Sequence, residues 1–137
     1  MLHKTTYLFV ILSIFMGVSC RDQNGGNQGK QITLEVPDNF TGIIFIVKSN
    51  DEINHHIGNE FNIVVPESGV AIAANYGVFR NWHQIGVRSN RGVNPNYRLY
   101  GLGEVDGHRM VYFLGTDAIY ERKIRRASIS DLKPGRL

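Results

Sequence analysis

Short apolar segments cut off by turn residues dominate this chain, and long helical periodicity is absent until its end. From Gln31 onward, turn-forming clusters recur about every 8 to 15 residues, a spacing that suits strands of ~5–6 residues better than ordinary helices. Ile32, Leu34 and Val36 alternate with polar residues, as on a strand with one face buried, and Pro37-Asp38-Asn39 ends that pattern. Residues 43–47 form an unbroken run of β-branched and aromatic side chains, the mark of a strand covered on both faces.

Residues 61–65 and 70–74 flank Pro66-Glu67-Ser68-Gly69 and are expected to pair as a hairpin. Residues 82–88 predict another strand, closed by Ser89-Asn90-Arg91-Gly92. Residues 97–102 and 110–114 lie either side of Asp106-Gly107, a dipeptide suited to the positive φ angles of a hairpin turn. Residues 117–126 read as a short helix capped by Thr116, with basic side chains in the last turn. No internal repeat stands out. The expected fold class is all-β, a small antiparallel β-sandwich or barrel with a short C-terminal helix.

Composition bounds the rest. With 42% apolar and 20% charged residues in 137, the chain is globular rather than disordered and has room for one domain. Its net charge is +3, and one local concentration exists, Arg122, Lys123, Arg125 and Arg126. That cluster reads first as a solvated helix end, and second as a contact for anionic headgroups or phosphate-rich glycans. No aromatic-and-basic module of a DNA or RNA binder is present, so nucleic acid is not an expected partner.

The N-terminal segment carries an address. His3 and Lys4 precede an apolar stretch over residues 7–18, interrupted by Ser13. It is too short for the roughly 20 residues that cross a bilayer, and it suits the core of a secretory signal peptide. Met16-Gly17-Val18-Ser19-Cys20 then resembles the lipobox of bacterial lipoproteins. The resemblance implies diacylglycerol on the Cys20 thiol, cleavage before it, and acylation, as by palmitate, of the new amine. Ser19 is the small residue wanted there, whereas Gly17 departs from the leucine commonest at its position. Cys20 is the chain's only cysteine, and an exported protein with a lone exposed thiol would be at risk unless that thiol were modified.

Three segments follow: a signal peptide over 1–19, the lipidated cysteine and a flexible tether over 20–30, and a β-rich domain over 31–137. Residues 21–30 contain no apolar side chain, and such a tether has an r.m.s. span of roughly 17–19 Å. Arg21 stands where an aspartate would retain an enterobacterial lipoprotein at the inner membrane. A lipid-anchored place in the cell envelope is expected, at the outer membrane in a host that has one.

Two further stretches resemble a family of small exported bacterial proteins whose domain has no assigned function. They are Val36-Pro37-Asp38-Asn39-Phe40-Thr41-Gly42 with Val65-Pro66-Glu67-Ser68-Gly69-Val70, and Tyr112-Phe113-Leu114-Gly115-Thr116 followed by Tyr120. They touch about a third of the mature chain, and the resemblance implies a secreted β-rich module without catalytic residues to carry over.

Candidate chemistry is sparse. His55-His56 reads as a chance pair in a loop, since neighbours on a strand face opposite ways and further zinc ligands at a recognisable spacing are lacking. Asp106, His108 and His83 invite an acid–base reading, but no serine sits in a nucleophile-elbow sequence and the one cysteine is committed to lipid. Asn39-Phe40-Thr41 matches a glycosylation acceptor that a bacterial lipoprotein has no machinery to use. Trp82, Tyr97 and Tyr100, with Arg80, Arg98 and Asn96 nearby, are the candidate platform for a glycan or peptide, against the commoner role of strand aromatics in packing. The expected function is therefore a non-enzymatic envelope module, without metal or cofactor, that binds or braces a cell-surface component. A glycan- or peptide-binding domain is the alternative, and a hydrolase a third reading.

Overall fold

The computed structural model describes residues 30–49, 55–57, 60–73, 76–80 and 83–137. In chain order the strands are β1 Lys30–Glu35, β2 Gly42–Lys48, β3 His55–Ile57, β4 Glu60–Val64, β5 Val70–Ala73, β6 His83–Arg88, β7 Arg98–Val105, β8 Arg109–Gly115 and β9 Gly135–Arg136. A 3₁₀ turn, Tyr76–Arg80, precedes β6. After β8 come α1, Asp117–Ile119, a π-type turn over Tyr120–Ile124, and a second 3₁₀ turn, Ile129–Asp131.

Two sheets face each other in a sandwich-like arrangement, and the described strands do not close into a barrel. Sheet A has the order β3-β4-β1-β6, and sheet B the order β5-β2-β8-β7 with β9 also on β2. The expectation of a purely antiparallel sheet is corrected. β1 runs parallel to both β4 and β6, and β2 runs parallel to β5. Antiparallel pairing is kept to β2–β8, β2–β9, β3–β4 and β7–β8.

The expected hairpin of residues 61–65 with 70–74 is corrected for the same reason, because β4 and β5 belong to different sheets. Each is half of an arch. β1 leads through the Pro37–Phe40 turn into β2, and β4 leads through the Pro66–Gly69 turn into β5. The two arches stack with β1 beside β4 and β2 beside β5, a structural repeat that the sequence reading did not see. Parallel neighbours normally need a long crossover, commonly a helix. Here the returning strand of the other sheet serves as that crossover.

The inner core follows from strand alternation. Ile32 and Leu34 of β1, Phe61 and Ile63 of β4, Ile44 and Ile46 of β2, and Tyr112 and Leu114 of β8 are buried in one cluster with Phe40, Tyr76, Val78 and Phe79. The opposite face of sheet B is buried as well. Ile43, Phe45, Val111 and Phe113 form a second cluster with Ile124, and Tyr120, Ile129 and Leu132 pack against it. The C-terminal segment is thus a third layer, which is why residues 43–47 read as apolar without a break. Among the described residues nothing covers the outer face of sheet A in this way, and Gln31, Glu60, Gln84 and Arg88 are exposed there.

Local signals explain the hairpin and the helix start. Asp106 and Gly107 have φ of 57° and 67°, and the His108 N–H donates to the Val105 carbonyl at 3.3 Å. Thr116 Oγ1 accepts from the Ile119 N–H at 3.4 Å. The helix expected over 117–126 is realised as α1 and the π-type turn. His55 and His56, expected in a loop, have strand backbone instead.

Two outcomes follow. Gly69 has φ of +74°, and a Cβ there would stand 2.5 Å from both the Gly135 nitrogen and the Ile43 carbonyl oxygen. Gly69→Ala is expected to cost about 2 kcal/mol or more in urea unfolding, whereas Gly86→Ala, with open space around it, stays within about 0.5 kcal/mol of the parent. Burial, and secondarily Tyr76, push the Tyr112 hydroxyl up to about 12. A folded value raised above the ordinary 10.0 of a tyrosine means stability intact below that pH and lost as pH rises through the folded value. Tyr112→Phe is expected to flatten this alkaline loss, read as chemical denaturation midpoints across the range.

Candidate functional site

Proline sets where the ladder of sheet A must stop. β1 and β4 both run into a Val-Pro pair, and proline has no N–H to donate. The last rungs are the Val36 N–H to the Arg88 carbonyl at 2.8 Å and the Val65 N–H to the Glu35 carbonyl at 2.8 Å. Beyond them the chain of each arch turns toward sheet B, and β6 runs on into the segment of residues 89–97. The divergence opens a groove of about 520 Å³ at the rim of sheet A, floored by Glu35, Val36, Val64, Arg88, Ser89 and Asn90.

The segment after β6 is held over the first arch. The Arg91 N–H donates to Asp38 Oδ1 at 3.0 Å, its guanidinium lies 3.5 Å from Asp38 Oδ2, and Ser89 Oγ donates to the Gly92 carbonyl at 2.7 Å. Opposite it, the C-terminus ties the arch turns together. Arg136 meets both Glu67 oxygens, at 2.6 and 3.0 Å, and donates to the Asn39 and Asp38 carbonyls at 2.7 and 3.0 Å. Its guanidinium also lies 5.4 Å from the Phe40 ring. The hydrogen bond from Arg136 holds the Glu67 carboxyl below its ordinary range, and the same contact raises the arginine.

The groove carries both charge and apolar surface. Glu35 and Arg88 are ion-paired with each other, and Val64, 59% exposed, places an apolar rim beside them. Ser89 and Asn90 add hydrogen-bonding groups. The Glu35 carboxylate and the Arg88 guanidinium neutralise each other there.

The expected site residues are separated. Cys20 and Trp82 lie outside the described residues. Tyr97 packs with Leu99 against the inner core, whereas Tyr100 packs against the outer cluster. Arg98 and Tyr100 do meet, at Asp117: Arg98 Nε lies 3.3 Å from Oδ1, and the Tyr100 hydroxyl donates to the same atom. That bond is the main reason the hydroxyl's pKa is raised. Tyr100 is also covered, its ring stacked on Tyr120 at 3.9 Å and 4°. Tyr97 and Tyr100 therefore share no platform. The parity was readable, since residues an odd number apart on a strand face opposite ways.

The acid–base residues are not gathered either. His83 begins β6 in sheet A and meets Phe79 edge-on at 5.7 Å. Asp106 and His108 sit in the β7–β8 turn of sheet B, where Asp106 pairs with Arg109 and the His108 carbonyl accepts from the Lys48 N–H at 3.0 Å. Among the described residues no group of three or more His, Cys, Asp or Glu is placed to hold a metal, and no helix is long and apolar enough to cross a membrane. The groove residues themselves escaped sequence reading; the only signal was the Val-Pro pair occurring twice.

No protein-family model and no curated protein matches the chain. A crystal structure of a protein provisionally described as a lipoprotein from Bacillus anthracis is similar over 73% of this chain and 81% of that one, with 11% identity and a TM-score of 0.39. A likeness that distant carries over neither fold nor function.

The Glu67–Arg136 clamp has a pH signature. A carboxyl held below the ordinary 4.5 adds stability that is present above that value and is lost as pH falls through the lowered one. Glu67→Gln is expected to unfold more easily than the parent at neutral pH, with the gap closing as pH drops below 4.5. Urea midpoints measured in parallel across that range check it; a gap that does not vary with pH would count against the clamp.

Proposed function

We propose that the chain is an exported lipoprotein, acylated at Cys20, whose β-domain has a non-enzymatic role: it binds or braces a component of the cell envelope. The observation that carries this reading is the position of the sole cysteine, directly after an apolar leader of residues 7–18 and directly before a stretch with no apolar side chain. One acyl chain holds a protein marginally at about 0.8 kcal/mol per buried methylene, while two or three hold it firmly. Anchoring at the outer membrane, in a host that has one, fits Arg21 after the cysteine.

The domain is suited to that role. Lys30 opens β1, and β1 runs from there to Glu35 at the groove, about 20 Å along a strand of this length. A tether entering at Lys30 leaves the groove at the far end of the strand. The groove pairs charge with apolar surface, and the one carboxylate among its described lining residues, Glu35, is held by Arg88, which favours contact over catalysis. It also favours, as a second reading, a glycan or peptide ligand held there rather than on Trp82, Tyr97, Arg98 and Tyr100. Confinement near a surface lets even a weak contact of this kind be occupied.

Cys20→Ser is expected to abolish incorporation of labelled palmitate and to move the protein out of the membrane fraction. Intact-mass measurement of the native protein is expected to show an acylated N-terminal cysteine. A free thiol, or a chain still beginning at Met1, would refute the anchor.

A further inference from the structure

Among the described residues, the C-terminal turn gathers several cations without ion-pair partners into one short segment. Five other arginines each face a carboxylate: Arg88 meets Glu35, Arg91 Asp38, Arg98 Asp117, Arg109 Asp106 and Arg136 Glu67. The turn breaks that pattern. Arg122, Lys123, Arg125 and Arg126 are all exposed, and the one carboxylate among them, Glu121, is taken by Arg125 at 2.8 Å. Arg122 Nε donates to the Ala118 carbonyl at 3.3 Å, which leaves its charge unopposed. Lys123 and Arg126 make no ion pair among the described residues.

The turn is also fixed in orientation. Ile124, 4% exposed, is seated in the outer cluster of sheet B, with the cations on either side of it left in solvent. The Arg125 N–H closes the turn on the Tyr120 carbonyl at 2.9 Å, and Tyr120 is stacked on Tyr100.

We propose that this turn is an electrostatic contact for the anionic headgroups of the bilayer to which Cys20 would tether the chain. The inference rests on the lipoprotein reading and deepens it. Headgroup phosphates spread over a plane need no shaped pocket; they need exposed cations without internal ion-pair partners. Charge complementarity meets that need, and so does the layer order. The turn lies on the outer layer over sheet B, and the groove lies at the rim of sheet A, two layers away.

The tether has the reach. Sheet-to-sheet spacing of about 10 Å and a further layer of about 8–10 Å separate β1 from the far side of the turn's layer. The chain from Cys20 to Lys30 extends to at most roughly 33–36 Å. The turn follows β8 at the end where Leu114 pairs with Gly42, so the roughly 20 Å length of β1 adds to that depth. The straight-line distance of about 27–28 Å is still within the tether's extended length, and acyl group and cationic turn can touch one membrane together.

The test uses the full chain purified from membranes, with vesicles of phosphatidylcholine alone or with phosphatidylglycerol. Sedimentation with the neutral vesicles reads the anchor. Tryptic cleavage after Arg122, Lys123, Arg125 and Arg126 reads the turn, so the two readings fail separately. Cleavage there is expected to slow roughly tenfold or more on the anionic vesicles relative to the neutral ones, and to recover at about 0.5 M salt.

The triple variant R122Q/K123Q/R126Q supplies a second readout. The full chain is expected to sediment more with anionic than with neutral vesicles, acylated or not, and the variant is expected to lose that excess. Equal cleavage on both vesicles, or an undiminished excess in the variant, would overturn the proposal. So would protection by soluble inorganic polyphosphate at matched phosphate without protection by vesicles.

Discussion

Everything in this fold is arranged around β2, a strand covered on both faces and bonded on both edges. Ile44 and Ile46 face the inner core, and Ile43 and Phe45 face the C-terminal layer. One edge carries β8 along its length; the other is divided between β9 at Gly42–Ile43 and β5 from Phe45 onward. Fully burying a side chain of this size is worth about 1.5–3 kcal/mol, so a strand buried on both faces outweighs any ion pair on this surface. The exposed pairs, Arg88–Glu35 among them, are each worth about 0–1 kcal/mol and serve to fix where loops lie.

The shared edge of β2 explains why the far end of the chain matters to the first arch. Gly42, Gly69 and Gly135 meet where β9 meets β5, and a Cβ on Gly42 would collide with the Gly135 backbone. Such close approach of three backbone segments admits only glycine. Arg136 then reaches over both arch turns to Glu67, Asn39 and Asp38. Residues nearly a hundred positions apart are thus joined at the end of the sandwich that holds the groove.

How much of this was legible depends on the range of each signal. The doubly covered strand at 43–47, the Asp106-Gly107 turn and the Thr116 cap were readable because each is local. The arches were not, because Pro66-Glu67-Ser68-Gly69 turns the chain equally well into a hairpin or across to another sheet. Two-residue β9 and three-residue β3 are too short to show a period. The groove was invisible because Glu35, Val64 and Arg88 become neighbours only through parallel registers. The aromatic platform fell to a rule that was available: the three-residue spacing of Tyr97 and Tyr100 sends them to opposite faces, and Asp117 and Tyr120 claim the second of them.

The layer order also bears on why sheet A can be what it is. Sheets of parallel strands are ordinarily covered on both faces, yet β4, β1 and β6 show solvent a face of Gln31, Thr33, Asn62 and Gln84. The arches resolve this. Parallel pairing here follows from stacked arches, with no helix needed on the outer face, and the alternation in β1 and β4 supplies polar residues to that face. The third layer went to sheet B, where β2 and β8 are apolar on both sides. Among the described residues, one side of the domain is closed by the C-terminal segment and the other is open, polar and notched by the groove. That asymmetry follows from which of the two sheets the C-terminal segment packs against.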